Sequence, residues 1–152
     1  LPLEKEQEKK RDSSPPSPGP PEKAERGAKI LVVDDEPSIC GMVKRVLQHM
    51  GHKVETTSLG KEAIEKLERN DYDLVLLDLQ MPDVPGETVI RSILEKPPQT
   101  RPAFIIITGK VNMDKGRLLA RGAFDVLEKP FHMNLLGEKV RSALNGKNPP
   151  SE

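Results

Sequence analysis

The chain has 152 residues, the size of one ordinary domain, and its 24 basic side chains balance its 24 acidic ones. With no basic excess and only four aromatic side chains it offers neither a cationic face nor stacking platforms, so we expect no nucleic-acid binding. No apolar run approaches the ~18 to 20 residues that span a bilayer, so we also expect no membrane contact by this chain.

The first 27 residues predict a disordered, Pro-rich, charged linker. They contain six prolines, and Leu1 and Leu3 are their only large apolar side chains. Such a segment cannot bury enough apolar surface to offset the entropy lost on ordering. Residues 146–152 have a similar composition and predict a flexible tail. The folded domain is therefore expected at residues 28–145.

Five segments in chain order predict β-strands. They are residues 30–33, 53–56, 74–77, 104–107 and 124–127. The first, third and fourth are continuous apolar runs, as expected for strands that are buried on both faces of a parallel sheet. The second and fifth carry more polar residues and predict edge strands.

Helical periodicity fills the intervals between the strands. The first helix begins near Pro37 and ends before Gly51, and apolar spacing predicts two more helices around Ile64 and at 89–94. Residues 112–121 give a weaker helical pattern because Gly116 lies inside it, and Leu136, Val140 and Leu144 mark the last helix. The single cysteine, Cys40, cannot form an intrachain disulfide, which favours a reducing, cytoplasmic compartment. It falls within the first helix, where we expect a small buried side chain.

Regular alternation of strand and helix predicts an α/β fold with five βα units. Short connections and right-handed crossovers favour a doubly wound, flavodoxin-like parallel sheet of five strands. Three buried strands flanked by two edge strands fit the order 2-1-3-4-5. In that order ligands bind at the carboxyl ends of the first and third strands, where the winding reverses.

Each predicted inner strand, and the last edge strand, leads into a polar side chain suited to phosphate chemistry. These residues are Asp34, Asp35, Asp78, Thr108 and Lys129. Grouped carboxylates repel one another, and Mg²⁺ prefers hard oxygen ligands, so the sequence predicts a magnesium site. We expect Asp35 to bind the metal directly and Asp34 to orient metal-bound water. Asp78 could contact the metal with one oxygen and attack phosphorus with the other, while Lys129 and Thr108 neutralise phosphoryl oxygens.

Each of these residues alone has an ordinary structural explanation. An Asp after a strand usually serves a turn, and Asp34 could cap the helix near Pro37. A lone Thr108 is usually structural, and a lone Lys129 is usually a solvated surface charge. Only their joint placement on one sheet edge favours a metal-binding, phosphoryl-transfer site over these structural roles.

Four stretches of the sequence resemble the receiver domain of two-component response regulators and hybrid histidine kinases. They are residues 29–37 (KILVVDDEP), 78–82 (DLQMP) with Gly86, 107–109 (ITG), and Gly122-Ala123 leading to Lys129-Pro130-Phe131. The resemblance covers roughly residues 28–145. It implies a signalling module, not an enzyme with separate substrate turnover.

The resemblance also implies a role for each matching residue. Asp78 would accept a phosphoryl group from the phosphohistidine of a histidine kinase or a phosphotransfer protein. Asp34, Asp35, Asp78 and the backbone carbonyl of Gln80 would bind Mg²⁺, and Thr108 and Lys129 would bind the phosphoryl oxygens. The Lys129-Pro130 bond would be cis. Phosphorylation would change the surface formed by residues 109–145 and so select an output partner that the sequence does not identify.

The sequence departs from the family pattern at three positions. Val126 stands where an aromatic residue is common, so we expect any switch to use other contacts than ring rotation. Lys110 and Gln80 occupy the two positions that tune hydrolysis of the acyl phosphate in similar domains, which predicts an altered lifetime. Because the long linker precedes the domain and little follows Asn145, we expect a receiver from the C-terminal end of a longer protein, such as a hybrid sensor kinase.

Two other functional classes stay open at this stage. A haloacid dehalogenase-type phosphohydrolase also uses an aspartate nucleophile, but it carries a second Asp two residues later, where this chain has Gln80. A binding scaffold could keep the fold without phosphorylation, and Val126 leaves room for that. His49, His52 and His132 lack a metal-ligand spacing, and we expect surface or capping roles for them.

Overall fold

The computed structural model describes residues 27–109 and 115–145. In this part of the chain five strands alternate with five helices. The strands are β1 (Lys29–Val33), β2 (Lys53–Thr57), β3 (Leu74–Asp78), β4 (Ala103–Thr108) and β5 (Asp125–Glu128). The helices are α1 (Pro37–His49), α2 (Gly60–Arg69), α3 (Gly86–Leu94), α4 (Lys115–Ala120) and α5 (Met133–Leu144).

The strands form one parallel sheet in the order β2-β1-β3-β4-β5. This confirms the predicted order 2-1-3-4-5 and the doubly wound, flavodoxin-like α/β fold. Residues 74–78 are buried throughout because helices cover both faces of the sheet, whereas β2 at the edge exposes Lys53. The apolar and mixed runs therefore identified central and edge strands correctly.

Side chains alternate along each strand between two hydrophobic clusters. Ile30 and Val32 pack beneath α1 and α5, whose buried residues include Val43, Leu47 and Val140. Leu31 and Val33 face the opposite side, where α2, α3 and α4 contribute Leu67, Ile90 and Leu118. The domain is thus a sheet between two helical layers.

The observed boundaries differ from the predicted ones by a few residues. The last strand runs 125–128 and not 124–127. The pairing with β4 begins at Asp125 and continues to the Thr108–Glu128 pair, whereas Phe124 precedes the strand and its N–H donates a hydrogen bond to the Phe104 carbonyl (2.7 Å). The predicted helix at 112–121 is observed as Lys115–Ala120, and residues 110–114 lie outside the described part. The predicted linker and tail, apart from Gly27, also lie outside it.

Two single-residue expectations need correction. His52 is buried and not on the surface: its Nδ1 accepts a hydrogen bond from the Ala28 backbone N–H (2.9 Å) at the point where the chain enters the sheet. Cys40 is half-buried, and its Sγ donates to the Asp34 carbonyl (3.2 Å). Among the described helices, none combines the length and apolar character that crossing a bilayer requires.

Candidate functional site

The parallel sheet brings the predicted site residues to one edge. Asp34 directly follows β1, Asp78 is the last residue of β3, and Thr108 is the last residue of β4. Lys129 directly follows β5, and its backbone N–H donates to the Thr108 carbonyl (2.8 Å). All four positions lie at the carboxyl ends of neighbouring strands, as the strand order requires.

Three carboxylates converge between the first and third strands. Asp34, Asp35 and Asp78 each offer an oxygen that lies within 4.8 Å of the others. Asp34 and Asp78 are buried, whereas Asp35 is exposed and accessible from solvent. A set of hard oxygen donors with one open side fits Mg²⁺, which keeps several of its waters.

Lys129 connects the buried carboxylates. Its ammonium lies 2.9 Å from Asp34 Oδ2, 3.1 Å from Asp78 Oδ2 and 2.7 Å from Glu36 Oε1. Burial alone would lower the pKa of Lys129, but hydrogen bonds to Glu36, Asp34 and Asp78 outweigh it and raise this pKa above its usual value. The lysine therefore stays charged at the site over the whole physiological pH range.

Asp34 serves a turn and does not cap the first helix. Its Oδ1 accepts the backbone N–H of Glu36 (2.9 Å), whereas the N-cap residue of α1 is Glu36 itself, without a side-chain capping bond. Burial raises the pKa of Asp34, the Glu36 N–H and Lys129 lower it, and the nearby Asp78 carboxylate raises it further. The net effect is a raised pKa for Asp34, caused mainly by burial of its carboxylate, and a divalent cation beside it would favour the ionised form.

Asp78 is held through both carboxylate oxygens. Oδ1 accepts the backbone N–H of Gln80 (2.9 Å), and Oδ2 faces the Lys129 ammonium. Each oxygen retains acceptor capacity after one such bond. The side chain is thus fixed in orientation with lone pairs available for a metal ion or for phosphorus.

Thr108 is fully buried at the end of β4, close to Val126, which stands where an aromatic residue is common in similar domains. Val126 on β5 is also buried, and it lines a cavity of about 220 Å³ together with Thr108, Lys115 and Glu128. The Lys129-Pro130 bond is cis, as the resemblance implied. Lys110 lies outside the described residues, and Gln80 is exposed.

One residue of this site was missed from the sequence. Glu36 makes the shortest of the contacts to Lys129, although it is 93 residues away in the chain. A signal was present, because Glu36 is the third of three consecutive acids after β1. No role for Glu36 was predicted from the sequence.

Comparison with known proteins identifies the family to which the chain belongs. The family model described as the response regulator receiver domain matches residues 30–141. The response regulator ArlR of Staphylococcus saprophyticus is 36% identical over 116 residues, which is 76% of this chain and 52% of ArlR. The chain therefore spans about half the length of this curated relative.

Solved structures of response regulators are also similar to this chain. The chemotaxis response regulator CheY4 of Vibrio cholerae superposes with a TM-score of 0.70 at 30% identity, covering 77% of this chain and 98% of CheY4. The response regulator TrrA of Thermotoga maritima, solved in complex with Mg²⁺-BeF, gives a TM-score of 0.68 at 34% identity. That alignment covers 76% of this chain and 98% of TrrA.

Proposed function

The chain belongs to the response regulator receiver domain family, and from this premise we propose that it accepts a phosphoryl group on Asp78 in a magnesium-dependent reaction. It is a receiver domain of two-component signal transduction, a signalling module. The observation that carries the proposal is the position of the Lys129 ammonium, which lies within 3.1 Å of both Asp34 and Asp78 beside the exposed Asp35.

In the proposed step a carboxylate oxygen of Asp78 forms a bond to phosphorus. The bond between phosphorus and the donor nitrogen breaks, and its electron pair leaves on the imidazole of the donor histidine. The transition state spreads negative charge over the equatorial phosphoryl oxygens. The Lys129 ammonium is already in place for one of these oxygens, and the Thr108 hydroxyl is our candidate for another.

Asp34, Asp35, Asp78 and the backbone carbonyl of Gln80 are the residues that we propose to hold Mg²⁺. The three clustered carboxylates and the raised pKa of Asp34 fit a divalent cation. The TrrA complex with Mg²⁺-BeF supports the same metal for this chain. When bound, the ion neutralises charge on the carboxylates and on the phosphoryl group.

We propose that phosphorylation changes the surface formed by residues 109–145, which includes α4, β5 and α5. Thr108 ends the strand that leads into this segment, so its movement toward the phosphoryl group would shift the segment with it. With Val126 at the usual aromatic position, the cavity that it lines with Thr108 would have to accommodate that movement.

Receiver domains take phosphoryl groups from histidine kinases, and we propose a histidine kinase or a histidine phosphotransfer protein as the donor here. Because the chain spans only part of its relatives, the output partner or domain is left undefined by this proposal. The cytoplasmic location stays a prediction from the single cysteine. Neither the dehalogenase-type hydrolase nor the unphosphorylated scaffold is favoured by the family match.

Incubation with acetyl phosphate and Mg²⁺, followed by intact-mass spectrometry, tests the proposal. Transfer from acetyl phosphate breaks the bond between phosphorus and the acyl oxygen and releases acetate. We expect the mass of one phosphoryl group on the native chain, none without Mg²⁺, and none on Asp78→Asn. Equal labelling of Asp78→Asn would show that another residue accepts the group.

A further inference from the structure

Asp83 reaches from the loop after β3 to the start of a different helix. Its Oδ1 accepts the backbone N–H of Gly60 (2.9 Å), and its Oδ2 accepts that of Lys61 (2.9 Å). These are the first two residues of α2, more than 20 positions earlier in the chain. One exposed carboxylate thus ties the loop of residues 79–85 to the N-terminus of α2.

Asp83 supplies the acceptors that the N-terminus of α2 lacks, because this helix has no side-chain cap of its own. Leu59 occupies the N-cap position of α2 and makes no side-chain capping bond. The first N–H groups of a helix lack partners within it and carry partial positive charge, so a carboxylate is a favourable acceptor. The bond from the Lys61 N–H, then that from Gly60, lowers the pKa of Asp83, so the carboxylate is ionised at neutral pH.

A backbone hydrogen bond joins the two ends of the same loop, and the loop also packs against α2. The Gly86 N–H donates to the Leu79 carbonyl (3.1 Å), and a Cβ on Gly86 would lie 2.6 Å from Leu79 Cα. A Cβ on Gly60 would lie 2.4 Å from Val84 Cγ2, so α2 packs directly on the loop. Asp83 is the hydrogen-bonded part of this packed contact.

The loop begins at the phosphoacceptor site. The Gln80 N–H fixes the Asp78 carboxylate, and the Gln80 carbonyl is a proposed metal ligand. Only two residues, Met81 and Pro82, separate Gln80 from Asp83, so the position of one constrains the other. Groups that orient metal ligands without touching the metal commonly change metal affinity 10–100-fold when removed.

We propose that Asp83 is a positioning residue for the metal site: by anchoring the β3–α3 loop to the N-terminus of α2, it holds Gln80 where Asp78 and Mg²⁺ require it. This inference rests on the magnesium site of the proposed function. It assigns no contact between Asp83 and the metal or the phosphoryl group.

Calorimetric titration with magnesium chloride, without any phosphodonor, tests the positioning role. We expect Asp83→Ala to raise the Kd for Mg²⁺ about tenfold. Asp83→Asn should fall between Asp83→Ala and the native chain, because its amide oxygen can accept only one of the two N–H groups well. Asp71→Ala is the matched control, since Asp71 is also exposed and carries a surface ion pair with Lys96 (3.6 Å).

Labelling by acetyl phosphate supplies a second readout. With Asp83→Ala the Mg²⁺ concentration for half-maximal labelling should rise about tenfold, while the rate at saturating Mg²⁺ stays near that of the native chain. A merely structural role would lower the plateau as folded protein was lost and would leave the half-maximal concentration unchanged. Circular dichroism at the assay temperature checks that each variant is folded, and Asp83→Asn takes the place of Asp83→Ala if the latter is not.

The two proposals fail in different ways. If the native chain is phosphorylated on Asp78 but the Asp83 variants bind Mg²⁺ with native affinity, the positioning role is wrong and the proposed function stands. If the native chain binds Mg²⁺ but is never phosphorylated, the proposed function is wrong, while the Kd series still decides the role of Asp83.

Discussion

The ammonium of Lys129 faces three carboxylates: it donates hydrogen bonds to Glu36 and Asp78 and forms an ion pair with Asp34. Asp34 and Asp78 are buried members of the site, whereas Glu36 is half exposed and lies at its rim. An arriving phosphoryl oxygen must therefore displace one of these acceptors. Glu36 is the easiest to displace because water can solvate it when it leaves.

We predict that Glu36→Gln raises the rate of labelling by acetyl phosphate, by at most about fivefold, since an exposed ion pair contributes ~1 kcal/mol or less. The neutral amide competes less well for the Lys129 ammonium, which leaves that ammonium freer for the phosphoryl group. Initial rates by mass spectrometry measure the effect. Glu87→Gln, which breaks an exposed pair with Arg121 (3.2 Å), should leave the rate unchanged. Slower labelling of Glu36→Gln would show that Glu36 assists and does not compete.

His52 links stability to pH. Burial lowers its pKa below the ordinary value of 6.5, Asp73 opposes this, and Arg141 adds to it. Below about pH 6.5 the unfolded chain binds a proton at this position that the folded chain does not, so stability falls as pH falls.

We predict that the contribution of His52 to the free energy of unfolding decreases between about pH 7 and pH 5, by at most about 1.4 kcal/mol for each pH unit. Urea titrations at a series of pH values measure the slope. His52→Gln should reduce it, whereas His49→Gln should not, since His49 is exposed. An unchanged slope in His52→Gln would assign the pH dependence to other groups.

At the scale of secondary-structure elements, one buried carboxylate joins three of them. Asp125 at the start of β5 is fully buried and accepts a hydrogen bond from Lys139 of α5. Lys115 of α4 lies 3.4 Å from its other oxygen. Asp125 therefore links α4, β5 and α5, which are elements of the surface that we propose to change on phosphorylation.

We predict that Lys139→Met lowers the free energy of unfolding by about 3 kcal/mol, because it leaves the buried Asp125 carboxylate without its closest partner. Asp125→Leu combined with Lys139→Met should recover most of that loss, since apolar packing often replaces a buried ion pair at little cost. Urea unfolding of the single and double variants gives the coupling between the two residues. If the double variant were destabilised as much as Lys139→Met alone, the unpaired Asp125 carboxylate would not be the cause of the loss.

At the scale of the whole molecule, the sheet order accounts for why so much was predictable. Apolar runs placed β1, β3 and β4 in the centre, and the ends of parallel strands share an edge, so Asp34, Asp78 and Lys129 could be grouped from the sequence.

The contacts between residues far apart in the chain could not be predicted from the sequence. Asp is common in turns, and the sequence around Asp83 does not indicate that its carboxylate accepts hydrogen bonds from Gly60 and Lys61. His52 follows Gly51, and its buried Nδ1 accepts the Ala28 N–H from 24 positions earlier in the chain, where the chain enters the sheet.

We propose that the carboxyl edge of this sheet directs a phosphoryl group to Asp78. Borohydride reduces an aspartyl phosphate to homoserine, so reduction after treatment with acetyl phosphate and Mg²⁺, followed by peptide mass spectrometry, locates the modified residue. We predict homoserine at position 78 alone, and none when Mg²⁺ is omitted. Homoserine at position 34 or 35, or label that reduction leaves on a histidine, would contradict the account.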